Sequence, residues 1–300
     1  MSTPNGVMVR TAPAERGRRK STLWPTLRAI YIIWYRDVLR YWRDRARLVA
    51  SLAQPLLFLI VFGTGLSSAL SGAGGGLGGA AGAAAGLTYT QFIFPGIIGM
   101  SVLFSAIFAS MSIVWDREFG FLKEVLVAPI DRSAVAIGKS LGGATQAMVQ
   151  GLILLILAPV IGVKLTLGSV VALLPLVFVL AFALSSMGVA IASRMRSMQG
   201  FQVVINFLMM PMFFLSGALF PLSGLPVWMT VLTRLDPAAY GMDPLRRVVL
   251  GGAGLPSFAL DRMGLTLFDT VLPIVVEAAI LLGFGIVMLA IAVRNFRVRD

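Results

Sequence analysis

Six apolar stretches of about twenty residues punctuate the chain, at roughly 48–70, 91–114, 140–163, 169–193, 200–220 and 271–293. Wound as a helix at about 1.5 Å per residue, each reaches across the hydrocarbon core of a bilayer. In that medium every backbone N–H and C=O must be satisfied internally, and runs of this length do so as helices. The rest of the chain cannot supply the water-facing surface of a soluble fold. Only 13% of residues are charged, 58% are hydrophobic and the mean hydropathy is +0.89, where soluble domains carry about 25% charge. The expected fold class is therefore all-α integral membrane with six transmembrane helices. The short connection at 162–168 predicts that the third and fourth runs form an antiparallel hairpin.

Lys and Arg set the expected orientation. Twenty of them fall in 1–47, 115–139, 194–199 and the C-terminal tail; the alternate connections hold five, Lys164, Arg234, Arg246, Arg247 and Arg262. Basic loops stay on the cytoplasmic side, so both termini are expected there, in a multi-pass protein of the cell (plasma or inner) membrane. The formal net charge of +12 is explained by this topology, and no nucleic-acid partner is implied. The first 47 residues contain no short apolar core followed by a small-residue cleavage site, so the first membrane helix is expected to do the targeting.

Residues 1–21 read as a disordered basic tail, and 22–300 as a single transmembrane domain. Within 26–47, Leu27, Ile30, Tyr31, Trp34, Val38, Tyr41 and Trp42 recur at helical spacing, with Arg28, Arg36, Arg40, Arg43 and Arg47 on the other side. This predicts an N-terminal cytoplasmic amphipathic helix lying on the anionic leaflet. Arg45 falls on the apolar face, a hint that the chain turns into the membrane there. The Gly-rich stretch 71–86 reads as a flexible linker. In the long outer loop 221–270, the segments 227–235 and 245–250 are apolar enough to be re-entrant helices before the last span.

Cys and His are both absent, which removes disulfides, Cys/His metal sites, a thiol nucleophile and an imidazole base. Gly138, Lys139 and Ser140 echo the end of a phosphate-binding loop, but Ser133 stands where its first glycine belongs. Lys139 is expected instead to snorkel at the end of the third span. Inside the spans, Gln146 and Gln150 share a helix face, as do Gln202 and Asn206; such amides either line a substrate path or hold helices together. Pro211 and Gly217 could kink the fifth span. Glu277 is an intramembrane ionisable group near the outer end, free to snorkel or to pair with an outer-loop arginine.

The segment 115–132 combines charge with apolar side chains: Trp115-Asp116-Arg117-Glu118-Phe119-Gly120-Phe121-Leu122-Lys123-Glu124-Val125-Leu126-Val127-Ala128-Pro129-Ile130-Asp131-Arg132. Apolar residues exposed in a charged loop mark a contact surface; Pro129 stops a short helix, and Asp131 is placed to cap the next. This stretch resembles the cytoplasmic loop of type-2 ABC transporter permeases of the daunorubicin-resistance, nodulation-export and polysaccharide-export kind. A second stretch, Leu235-Asp236-Pro237-Ala238-Ala239-Tyr240-Gly241-Met242-Asp243-Pro244-Leu245-Arg246, resembles the segment before that family's last span, with Asp236 where the family often has Asn.

The resemblance, covering about residues 22–298, implies a permease subunit of an ATP-driven exporter. It would pair with a second copy or close paralogue and sit on two nucleotide-binding ATPase subunits. Arg117, Glu118, Phe119, Gly120, Phe121, Leu122, Lys123, Glu124, Leu126 and Pro129 would form the coupling helix entering the ATPase. Trp34, Arg36, Arg40, Trp42 and Arg43 would lie on a connecting helix. Asp236, Pro237, Tyr240, Asp243 and Arg246 would belong to an outer gate. The chain itself would be no enzyme and hold no cofactor, ATP and Mg residing on the partner ATPase. Substrates of this family are amphipathic drugs, lipids or lipid-linked glycans. A secondary transporter driven by an ion gradient, which predicts ionisable groups at mid-membrane, and a membrane-embedded enzyme, which predicts a polar catalytic cluster, are the rival readings.

Overall fold

The computed structural model describes residues 23–72, 89–119, 131–163, 165–220, 225–252 and 270–298, together with 222, 254–256, 258, 260 and 264–267. The expected tail 1–21 and residues 73–86 of the expected linker lie outside them. The described chain is helical almost throughout, with one antiparallel pair of two-residue strands, β1 (Thr266–Leu267) and β2 (Thr270–Val271).

Among the described residues ten α-helices follow one another: α1 (Leu23–Arg43), α2 (Arg45–Gly72), α3 (Tyr89–Ala109), α4 (Met111–Glu118), α5 (Arg132–Leu157), α6 (Leu167–Ala192), α7 (Met198–Leu215), α8 (Val227–Leu235), α9 (Ala239–Gly252) and α10 (Ile274–Val298). Among the described residues five stretches are long and apolar enough to cross a membrane: Tyr89–Glu118, Arg132–Ile161, Leu167–Ala192, Met198–Leu215 and Ile274–Arg297. A sixth is counted if α1 and α2, which meet at a bend of 70°, form one span. Consecutive spans alternate direction. The turn at Asp44, the ends of α4 and α6 and the starts of α5 and α7 therefore gather at one end, the base. The described residues of 158–166 and 216–273 form the opposite crown.

Local chemistry explains the element boundaries. Asp131 caps α5, accepting from Ser133 N at 3.2 Å, as its position predicts. Thr166 and Ser197 cap α6 and α7 in the same way. A 3-10 turn over Ala158–Ile161 prolongs α5 and ends at Gly162, whose φ of 85° suits glycine. This turn opens the α5–α6 hairpin that the short connection predicts. Gly217, with φ 75°, performs the analogous reversal after α7.

Several boundaries differ from the sequence expectation. The first helix ends at Arg43, four residues early, because the backbone breaks at Asp44 before α2 begins. The third span starts at Arg132, so Lys139 sits two turns inside a helix. It is 4% exposed and therefore cannot snorkel to water. On α1, Ala29, Ile33, Asp37 and Tyr41 form the buried face, while Trp24, Leu27, Tyr31, Tyr35 and Trp42 are exposed. Tyr41 and the indole N–H of Trp34 join the packing side, and the remaining large aromatics stay outside.

α3 is the central span, with Ile93, Phe94, Ile97, Ile98, Leu103 and Ile107 fully buried against α5, α6 and α9. Two close approaches depend on glycine. At Gly138 an added Cβ would stand 2.9 Å from Ile33 Cβ, so this residue lets α1 lie directly on α5. At Gly96 it would overlap the Ala218 carbonyl of the turn after α7, which is backbone and cannot rotate away. In a membrane such close contacts replace the hydrophobic effect as the packing force between helices. Gly96→Ala is accordingly expected to cost about 1–3 kcal/mol, read as a lowered melting temperature of the detergent-purified protein, whereas Gly283→Ala, which meets open space, leaves it unchanged.

Candidate functional site

At the base, three helices converge on one ammonium group. Lys139 Nζ of α5 lies 2.9 Å from Asp116 Oδ2 of α4 and 3.2 Å from Asp37 Oδ2 of α1. It also donates to Ser112 Oγ at 3.0 Å. Arg36 Nη2 reaches both carboxylates at 3.3 Å from the outer side. Two cations thus face two carboxylates, and the cluster is neutral. A buried ammonium without such partners would carry a desolvation penalty of several kcal/mol, so the pairing holds α1, α4 and α5 in one register.

Immediately after this cluster the chain makes a second attachment. Arg117 Nη1 donates to the carbonyls of Ser193 and Met195 at 3.1 and 2.6 Å, satisfying acceptors at the end of α6. Glu118 Oε2 accepts from Met198 N at 3.2 Å, at the N-terminus of α7, where a carboxylate complements the helix dipole. Phe119 follows, 78% exposed, its ring 6.1 Å from that of Trp115. The remaining residues of the expected coupling helix, Gly120, Phe121, Leu122, Lys123, Glu124, Leu126 and Pro129, lie outside the described residues.

Above the base cluster opens a cavity of about 500 Å³ between α1, α2, α3 and α5. Gln146 and Gln150 line it, together with Tyr41, Gln54, Phe104 and Phe108. Lys139, Gln146 and Gln150 recur at seven and four residues along one face of α5, so the helix that carries the ionic cluster also carries the cavity amides. Gln150 Nε2 donates to the Ser51 carbonyl of α2 at 2.8 Å. Both roles open to these amides, wall and glue, are combined in this one. Gln202 and Asn206 are exposed on α7 and do not line the cavity. Of the expected connecting-helix residues, Trp34 donates its indole N–H to Thr145 Oγ1 at 2.9 Å. Arg40 lies over the Trp115 ring at 5.7 Å; Trp42 and Arg43 are exposed.

The crown holds a second network. Arg247 of α9 pairs with Asp243 one turn earlier and, at 2.8 Å, with Glu277 of α10. It also donates to the Leu272 carbonyl at 2.7 Å. Glu277 is fully buried and so takes the paired alternative, not the snorkelling one. Asp243 accepts from Leu265 N at 2.9 Å. Arg246 donates to the carbonyls of Gly217 and Phe220 and lies 4.9 Å over the Phe92 ring. The Tyr240 hydroxyl donates to the Arg234 carbonyl at 2.8 Å, and Pro237 is half-buried in the turn before α9.

Asp37, Asp116, Lys139 and Arg247 are the functional candidates that sequence reasoning passed over. One signal for Asp37 was available, an acidic residue at four- and eight-residue spacing from Ile33 and Ala29.

Two tests follow from these networks. Lys139→Met leaves Asp37 and Asp116 with Arg36 alone, and removing one partner of a buried pair costs about 3–5 kcal/mol. Adding Asp37→Asn is expected to recover part of that loss, so the double variant melts above the sum of the single effects. The second concerns Asp236, between α8 and α9. Burial raises its carboxyl from 3.8 to about 7, against a hydrogen bond from Ala238 N that favours the ionised form. The folded state therefore binds the proton more tightly than the unfolded chain, and stability falls as pH rises from about 4 to 7. Asp236→Asn keeps an acceptor for Ala238 N and removes the titration. Melting curves of the two proteins are expected to agree near pH 4 and to separate, with the variant higher, by pH 8.

Comparison with known proteins agrees with this architecture. The sequence profile described as ABC-2 type transporter matches residues 28–250. A protein named as a transport permease, ycf38, from Cyanophora paradoxa is 25% identical over 222 residues, 73% of each chain. Nodulation protein J of Rhizobium leguminosarum bv. viciae is 27% identical, over 83% of this chain and 92% of the relative. YbhR of Escherichia coli K12, named as a multidrug ABC transporter permease, is 28% identical over 56% of this chain and 46% of its own length. With a profile match across most of its length and the helices to span a bilayer, the chain is an integral membrane protein belonging to the ABC-2 type transporter family, a transport subunit and not itself an enzyme.

Proposed function

We propose that the chain is the permease subunit of an ATP-driven exporter that moves an amphipathic substrate, a drug, a lipid or a lipid-linked glycan, out of the cytoplasm or the inner leaflet. Two ATPase subunits carry ATP and Mg, and two permease copies, or one copy and a close paralogue, complete the assembly. The base faces the cytoplasm with both termini, in the cell (plasma or inner) membrane. α1 lies along the inner surface, and α8 and α9 dip back into the outer half of the membrane as gate elements before α10.

The observation that carries this reading is the pair of attachments made just before residue 119. Asp116 binds Lys139 of α5, and Arg117 and Glu118 bind the ends of α6 and α7. A force applied to the segment 118–128 reaches the helix that bears Gln146 and Gln150 and the helix that bears Pro211. Coupling to a partner below needs such stiff links, because a loop free of the bundle would absorb the motion. The amide and aromatic lining of the cavity suits a molecule with polar and apolar parts.

Phe121→Asp with Leu122→Asp is expected to leave the protein inserted and its melting temperature unchanged, while ATPase co-purification in mild detergent and ATP-dependent transport both fall at least about tenfold, as when a buried apolar anchor of an interface is lost. Undiminished co-purification and transport would overturn the coupling role of this segment. A wild-type protein that brings no ATPase with it under several detergents would overturn the exporter reading.

A further inference from the structure

We infer that the elbow between α1 and α2 is a binding site for the headgroup of an anionic glycerophospholipid of the inner leaflet, built from Arg36, Arg40 and Arg43. These side chains, with Leu39 and Asp44, enclose an open recess of about 510 Å³. They are four and three residues apart, so at about 3.6 residues per turn their guanidinium groups share one helix face. With Arg36 matched in the neutral base cluster, the two cations of Arg40 and Arg43 stand against the single carboxylate of Asp44 in this recess. The inward side of Arg36 is engaged by Asp37 and Asp116, and Arg40 is braced by Trp115. Among the described residues Arg43 makes no ion pair. Like charges at this spacing repel, and a phosphodiester, which accepts paired guanidinium N–H bonds, removes that repulsion.

The surroundings set both the depth and the identity of the occupant. Trp24, Leu27, Tyr31, Ile32 and Tyr35 are 50–80% exposed on the adjoining face of α1; a row of large apolar side chains at this exposure suits acyl chains better than water. Trp42, also exposed, neighbours Arg43 at the elbow. α2 departs from there at 70° as an apolar helix. The arginines lie between the exposed apolar face and the face buried on α5, which is the level of the lipid phosphates. Arg40 and Asp44 also line the main cavity, so the headgroup sits at its mouth. The inner-leaflet assignment rests on the orientation proposed above; the binding itself does not.

The test is native mass spectrometry of the detergent-purified full-length protein titrated with phosphatidylglycerol, cardiolipin and phosphatidylcholine. Retention of the two anionic lipids is expected to exceed that of phosphatidylcholine by about tenfold or more. Arg40→Gln with Arg43→Gln, which spares Arg36 and the buried cluster, abolishes the preference. Arg294→Gln with Arg297→Gln removes the same charge from the base end of α10 and retains it. Equal retention of all three lipids, equal loss in both variants, or an unchanged preference in the elbow variant overturns the site. So does an elbow variant that keeps its lipid and loses its ATPase, which assigns the surface to the ATPase. If wild-type protein brings no ATPase, the exporter reading fails while the lipid titration stays readable.

Discussion

A single ammonium group, that of Lys139, is held away from water between two carboxylates contributed by different helices. Its desolvation is tolerable only while Asp37 and Asp116 stay in place, so the position of α1, the direction of α4 and the start of α5 become one decision. From that decision come the elbow at Asp44, the wall of the cavity below Gln146, and the anchorage of α4 up to Phe119. Apolar packing by itself gives no such register in a bilayer, because lipid chains are as apolar as the side chains they would replace.

The crown repeats the device with different residues. Arg247 gathers Asp243 and Glu277, tying α9 to α10, while Arg246 ties α9 to the turn after α7. Beside each polar layer a glycine allows close contact, Gly138 next to Lys139 and Gly96 against the turn at Ala218, where a Cβ would exclude the neighbour. A molecule with specific polar layers at both ends and close apolar packing between suits a transporter that changes shape by moving whole helices.

Much of the fold was legible. The apolar runs, the caps at Asp131 and the α5–α6 hairpin are local properties, and backbone satisfaction in lipid leaves helices as their outcome. The loop stretch 116–132 carried the family resemblance. The misreadings share one cause. Lys139 looked like a snorkelling terminus because its partners are 23 and 102 residues away in sequence. On α1 the helical spacing of the aromatics does not name the packing face, which Gly138 and Gly142 admit through Ile33 and Asp37. Gln202 and Asn206 have the same spacing as Gln146 and Gln150, and only the placement of α7 separates the exposed pair from the one that lines the cavity.

The amino-acid sequence by itself determined that this chain lives in a bilayer, roughly where it crosses, and which family it joins. Those properties depend on the local density of apolar side chains and on short motifs. Tertiary structure alone decided which polar groups meet and which face of each helix turns inward. The reason is that a buried charge selects its partner by distance in space, and the helices that supply Asp37, Asp116 and Lys139 acquire that distance only once they have packed.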